Sequence, residues 1–242
     1  PNRDLNAGAI IALSPVLSDD EKDVYNSWGK GKYDPRHNQD GLNSPVLIPP
    51  AYGLEGVNSI TVTGDGDDIA YWNRYVAVTQ MGGHGTFSER RTAVAVTNGT
   101  EDMVSSKLPA LQAYQLSLEA PAAPEGSFDA AAAARGKTVF EGVAKCNSCH
   151  SGSLLTDANE RLHAPSEVVS APEPNGAPSY ASRSASNQYR TTPLRALWQH
   201  APYFHNGKAK TLKDVVVLYN SKKQLRLTIA NMNDLTEYLK SL

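Results

Sequence analysis

The chain of 242 residues carries 23 basic and 25 acidic side chains, a formal net charge of −2. That length suits one good core or two smaller ones, and the balance leaves no basic footprint for nucleic acid or an anionic membrane. No apolar run approaches the roughly 20 residues that span a bilayer, and Pro1 to Asp4 lack the charged and apolar parts of a signal peptide, so a soluble chain with a processed or truncated start is expected.

In chain order, Ser18 and Glu21 form a capping-box pattern ahead of a short helix over Lys22 to Trp28, stopped by Gly29. Gly31 to Gly66 is rich in Gly, Pro, Asn and Asp and reads as loop, with one short strand near Ile60 to Val62. Asp65-Gly66-Asp67-Asp68 lacks the later glutamate of a calcium loop and reads as a turn. Ile69, Trp72, Val76 and Gln80 or Met81 recur at helical spacing before Gly82-Gly83, and a second helix spans Leu108 to Leu118 with Pro109 in its first turn. Met81-Gly82-Gly83-His84-Gly85 reads as a turn after a helix rather than a metal site.

Glu119 to Gly126 is an Ala-, Pro- and Gly-containing linker. After it, Ser127 or Asp129 caps a helix over Ala130 to Glu141, ended by Gly142. Residues 151–188 read as a long surface loop that leaves His163 exposed to solvent. Thr211 and Asp214 cap a helix running to about Tyr219, and Ile229, Met232, Leu235 and Leu239 give one apolar face to a final helix. The expected fold is mainly α: a helical domain over 127–242, preceded by a loop-rich, partly helical segment over 1–126. That segment has few apolar residues for a core of its own and is expected to pack on the domain.

Both cysteines of the chain fall in Cys146-Asn147-Ser148-Cys149-His150. Thiols at this spacing can add to the two vinyl groups on one edge of haem, and the adjacent histidine then lies under the iron as its proximal ligand. One covalent haem c is the expected cofactor. A zinc site joining Cys146 and Cys149 to His200 and His205 would need a loop of about fifty residues, far longer than a zinc finger uses. A dithiol redox site expects a strand before the motif, where a helix is read here.

Tyr189 to Trp198, followed by Ala201-Pro202-Tyr203-Phe204-His205-Asn206-Gly207 and Thr211-Leu212, resembles the C-terminal haem domain of the bacterial di-haem cytochrome c peroxidases. That superfamily also holds the tryptophylquinone-maturation enzyme and the rubber oxygenases. The resemblance spans 127–242, and the fold it implies is a cytochrome c-like domain. Trp28 to Asp34 and Pro49 to Leu54 are similar to the inter-haem region of the rubber-oxygenase-like members. The family carries two C-x-x-C-H motifs where this chain has one. His200 stands where peroxidases usually have a threonine of a calcium site, which argues against calcium here.

The resemblance further implies a distal ligand, methionine or tyrosine, a little more than a dozen residues beyond His205, which is Tyr219 here. Met232, on the apolar face of the last helix, is the competing ligand, and either side chain has core packing as its bland alternative. The resemblance also places His205 beside the haem. Arg195 is the candidate partner of a haem propionate, because a guanidinium matches a carboxylate in bidentate geometry; a plain surface arginine is the alternative.

The expected function is electron transfer with a redox partner protein in a periplasmic or secreted setting. The alternative is the haem-bearing half of a peroxidase or oxygenase that reduces peroxide or dioxygen, with Tyr71 and Trp72 then facing a second haem. Trp72, Trp198 and the tyrosines could also carry electrons, though core packing accounts for their spacing.

Overall fold

The computed structural model describes residues 4–34, 45–89, 94–170 and 179–242. Seven α-helices run in the order α1 Ala7–Ile11, α2 Asp19–Asn26, α3 Ile69–Tyr75, α4 Leu108–Leu116, α5 Ala130–Glu141, α6 Leu212–Lys222 and α7 Ile229–Ser241. Two antiparallel pairs join them: β1 Lys32–Tyr33 with β2 Val46–Leu47, and β3 Gly85–Glu89 with β4 Val94–Asn98. The fold is mainly α, as expected.

Local chemistry sets the C-terminal helices. Asp129 caps α5 by accepting from Ala132 N–H, while Ser127 hydroxyl is spent on Pro124 O. A run of five alanines then propagates the helix. Thr211 with Asp214 and Thr228 with Asn231 form reciprocal capping boxes on α6 and α7.

Helix α7 crosses α5 at Gly136, where an added methyl group would run into the Asp234 carbonyl oxygen and the Tyr238 side chain. Glycine is thus what lets the two backbones touch. Beside it Arg135 grips Asp234 with two hydrogen bonds of 2.8 and 2.9 Å. Val139, Phe140, Ala144, Leu212, Val216, Leu227, Leu235 and Leu239 form the core between α5, α6 and α7. Each large member contributes about 1.5–3 kcal/mol by leaving water.

The first region differs from expectation, because it has cores of its own. Tyr75, Val78, Phe87, Val94 and Val104 form one, and Val57, Ile60 and Ile69 another. The hairpin of β3 and β4, absent from the sequence reading, supplies Phe87, whose ring lies 5.0 Å from that of Tyr75 and 5.5 Å from that of Tyr71. Aromatic rings bury enough area for a few of them to replace a longer aliphatic stripe. The helix expected to reach Met81 is α-helical only to Tyr75 and then widens into a π turn over Val76–Gln80, where Thr79 hydroxyl bonds back to Tyr75 O. Around Ile60 only a single bridge to Gly66 forms. Of the expected loop 31–66, residues 35–44 lie outside the described residues.

The stretch 151–188 also departs from a surface loop; its residues 171–178 lie outside those described. Asp157, Ala158, His163, Ser170, Tyr180 and Ala181 are buried, because this stretch fills the space between the first region and the helices. Arg183 pairs with Asp34 at 2.9 Å with both side chains nearly closed to solvent, and Ser184 hydroxyl donates to Asp65. Asn159 meets Asn58 N–H and Gly56 O, at 2.7 Å each, and Leu154 packs beside Val57. The joint between the regions therefore combines buried polar pairs with an apolar cluster in which Val46 and Val62 pack on Tyr180, Ala181 and Tyr189.

Candidate functional site

Gly142 ends α5, Lys145 turns the chain in the left-handed conformation (φ 51°), and Cys146–Ser148 form one 3-10 turn. The turn brings His150 N–H onto Cys146 O at 2.9 Å, so both cysteines and the histidine issue from one tight bend. Cys146 packs against the α5–α7 core. Burial pushes its thiol up to about 11, with Cys149 raising it further, the reverse of what a reactive dithiol requires.

His150 Nδ1 lies 3.0 Å from Leu155 O. A carbonyl only accepts, so Nδ1 carries the proton and the Nε2 lone pair is left for a metal. Burial lowers the imidazole pKa and favours this neutral form. Leu155 reaches the ring because it sits in the left-handed region (φ 49°).

Tyr219 projects from α6. Burial pushes its phenol up to about 12, and both cysteines lie within electrostatic reach of it. Phe204 is its ring neighbour at 6.2 Å. Met232 lies at the edge of the helical core, and Asn220 Nδ2 approaches its sulfur at 3.5 Å.

The other residues singled out in the sequence are placed as follows. His205 stacks on Tyr189 at 5.3 Å, and its Nδ1 is 3.4 Å from Ser170 Oγ. His200 Nε2 meets Tyr52 hydroxyl at 2.6 Å. Arg195 donates from Nη1 to Gly53 O at 2.6 Å. Trp198 Nε1 points to Pro121 O at 3.4 Å, and Trp72 is half-buried beside both cores of the first region. Met81 is exposed, and the His84 ring abuts Gly99 at the hairpin.

His163 is a correction: it is buried rather than solvent-exposed. Its Nε2 lies 3.0 and 3.1 Å from the two oxygens of Asp157, and its main chain pairs with Tyr189. Among the described residues, the one group of potential metal ligands is Cys149, Asp157 and His163, rather than the cysteines with His200 and His205. Arg161 occupies that group, with Nε 2.7 Å from Asp157 and Nη2 3.5 Å from Cys149 Sγ, and its fixed charge opposes a second cation. The spacing of Asp157, Arg161 and His163 was a signal, but no periodicity drew attention to it.

Arg190 was passed over entirely. Its Nε and Nη1 are closed off from solvent and have no hydrogen-bond partner, and burial lowers its pKa to about 10. Thr192, two residues on, has its main chain within reach of the His150 imidazole. The set comprises two thiols on one turn, an imidazole with Nε2 available and a phenol near the thiols. Those groups fit a haem, with its vinyl edge and iron.

Residues 133–242 match the cytochrome c family. This part of the chain is similar to a cytochrome c domain. Such a domain implies haem c. The cytochrome-c peroxidase IdrP2 of Pseudomonas sp. (strain SCT) is 30% identical over a match that covers 36% of this chain and 31% of that protein. The match thus spans less than a third of that relative. Two solved structures share the fold well beyond the cytochrome c domain. Hydrazine synthase of Kuenenia stuttgartiensis aligns with a TM-score of 0.56 at 21% identity, covering 90% of this chain and 78% of that one. A MauG-like protein associated with microbial copper homeostasis aligns with a TM-score of 0.54 at 17% identity, covering 81% and 73%. The resemblance to the di-haem peroxidase superfamily read from the motifs holds in these comparisons. Among the described residues no helix is long and apolar enough to cross a membrane.

Proposed function

We propose that this protein is an electron-transfer cytochrome of a periplasmic or secreted compartment, with one haem c held through thioethers to Cys146 and Cys149. The observation that carries the reading is the His150 imidazole, half-buried and fixed as the tautomer that presents Nε2, on the same turn as both thiols. The haem, when bound, supplies a one-electron ferric/ferrous couple. The chain does the rest. Leu155 O orients the His150 ring, the packing around Phe140, Leu235 and Leu239 keeps water from one side, and Tyr219, or alternatively Met232, would supply the iron's second ligand.

A phenolate ligand would favour ferric iron and a low potential, and a thioether the opposite. The burial that disfavours a bare phenolate at Tyr219 is offset where the oxygen meets a metal cation, so the raised phenol is compatible with ligation. His205, stacked on Tyr189, would lie on the route to an electron partner, and Arg195 ties this segment to Gly53. A redox partner protein follows from the activity.

The peroxidase-like reading rests on the sequence match to a protein named a cytochrome-c peroxidase. Optical and low-temperature EPR spectra of the purified holoprotein, oxidised and reduced, with and without peroxide, separate the two. A six-coordinate low-spin centre indifferent to peroxide is expected. High-spin iron consumed by peroxide moves the enzyme reading ahead, and absence of covalent haem overturns both.

A further inference from the structure

We propose that Arg161 and Asp157 set the reduction potential of the site from beside the Cys149 sulfur, the guanidinium raising it and the carboxylate lowering it. The proposal rests on the haem reading above, in which that sulfur is bonded to the macrocycle.

Local structure brings the two charges to the sulfur. Asp157 and Arg161 stand one turn apart, with the Glu160 and Arg161 N–H groups donating to Asp157 O at 2.9 and 3.0 Å. Arg161 Nε donates to Asp157 Oδ2 at 2.7 Å, while Nη2 reaches Ser148 O at 3.3 Å and Cys149 Sγ at 3.5 Å. An oxygen of Asp157 and a ring nitrogen of His163 lie within 4.8 Å of the same sulfur. A cation and an anion thus flank one of the two attachment atoms. The other has different surroundings: Cys146 packs on the cluster of Val139, Phe140 and Leu239, with its Sγ 3.8 Å from Ala144 O.

The two charges differ in exposure. The Asp157 side chain is 4% exposed, and its two oxygens face His163 Nε2 at 3.0 and 3.1 Å, which fixes its place. The Arg161 side chain is 52% exposed, and its guanidinium stays protonated whatever its surroundings. Oxidation leaves the site one positive charge richer, so a neighbouring cation opposes that step and a neighbouring anion assists it. Each partner masks the other until one of them is removed. Salt then separates them, because mobile ions screen an exposed charge far more than a buried one.

The test is spectroelectrochemical titration of the holoprotein at fixed pH, in low and in high salt. The proteins compared are wild type, Arg161→Met, Arg161→Lys, Asp157→Asn and the Arg161→Met/Asp157→Asn double variant, each with its haem content checked by the pyridine haemochrome. At the wild-type midpoint and low salt, Arg161→Met is expected to lower the ratio of reduced to oxidised protein several-fold, up to about tenfold, which is about 59 mV for one electron. Asp157→Asn is expected to raise that ratio, the double variant to fall between the two, and Arg161→Lys to recover most of the wild-type value. High salt should shrink the Arg161→Met shift more than the Asp157→Asn shift.

Shifts of the same sign in the two single variants overturn the proposal, since loosening of the turn acts alike whichever partner is lost. Unchanged midpoints in proteins that carry covalent haem overturn it as well. Should Asp157→Asn fail to accumulate, the two Arg161 variants decide: equal midpoints in Arg161→Met and Arg161→Lys show that charge at this position is without effect and overturn it. A wild type that lacks covalent haem overturns the haem reading itself, an outcome distinct from all of these.

Discussion

The two regions of this chain solve the problem of burying a core in different ways. Residues 127–242 do it with three capped helices around one largely aliphatic cluster, with the Cys-containing turn hung from the end of α5. Residues 4–126 use small aromatic and valine clusters, a hairpin and short turns, and lean on the rest through buried polar contacts such as Arg183 with Asp34. A periodic helical core announces itself in one dimension. A core assembled from a few rings and a two-stranded hairpin does not, because each member is alone in its stretch of sequence.

The comparison can be broken at the site first. Replacing Cys146 and Cys149 by alanine is expected to abolish covalent haem, seen as loss of the pyridine haemochrome signal from the purified protein. Retention of haem after denaturation would show that the turn does not hold it. Next, Gly136→Val places a branched side chain against the Asp234 carbonyl and should cost about 3 kcal/mol or more of stability in denaturant titrations, by forcing α7 off α5. An unchanged midpoint would mean that the crossing has slack.

At the joint between the regions, Arg183→Met removes the guanidinium that pairs with the buried Asp34 and is expected to cost about 3–5 kcal/mol. The cooperative unfolding of the two regions should then separate into two steps. A single step would show that the other inter-region contacts suffice.

Acid sharpens the comparison further. Burial pushes Asp157 up, but hydrogen bonds from Thr191, Arg161 and His163 win and hold its carboxyl below the ordinary carboxylate value. A depressed folded pKa gives stability that is complete above the unfolded value and is lost as pH falls below about 4. Asp157→Asn should lack that contribution at neutral pH and show a flatter acid limb. The smallest effect is expected from Tyr219→Phe, which changes stability by less than about 1 kcal/mol. It should alter the ferric optical spectrum if the phenol is a ligand, and leave it alone if Met232 is.

How much was legible follows the same division. Helices α5, α6 and α7 were readable because their caps and apolar stripes are local: Thr211 with Asp214 is a signal three residues long. The Cys-containing turn was readable because its chemistry needs fixed spacing. What lay hidden was long-range. Arg190 and Arg195 look alike in sequence, and only the fold shows that one is tied to Gly53 while the other has Nε and Nη1 sealed from solvent. His163 stands in an aperiodic stretch and gains its burial from Tyr189 and Asp157, which only tertiary structure brings to it. The aromatic core of Tyr71, Tyr75 and Phe87 spans a helix and a hairpin that sequence periodicity never joins.

The His150 imidazole is aimed by the Leu155 carbonyl, a group that every amino acid at that position possesses. Its orientation is therefore encoded in a dihedral angle rather than in a side chain, and drift at position 155 can rewrite the residue without rotating the ring, so long as the substitute tolerates a left-handed turn. A β-branched residue is the replacement this inheritance resists. Such an arrangement shields the electronic setting of the site from most single substitutions and leaves its evolution to the groups farther out.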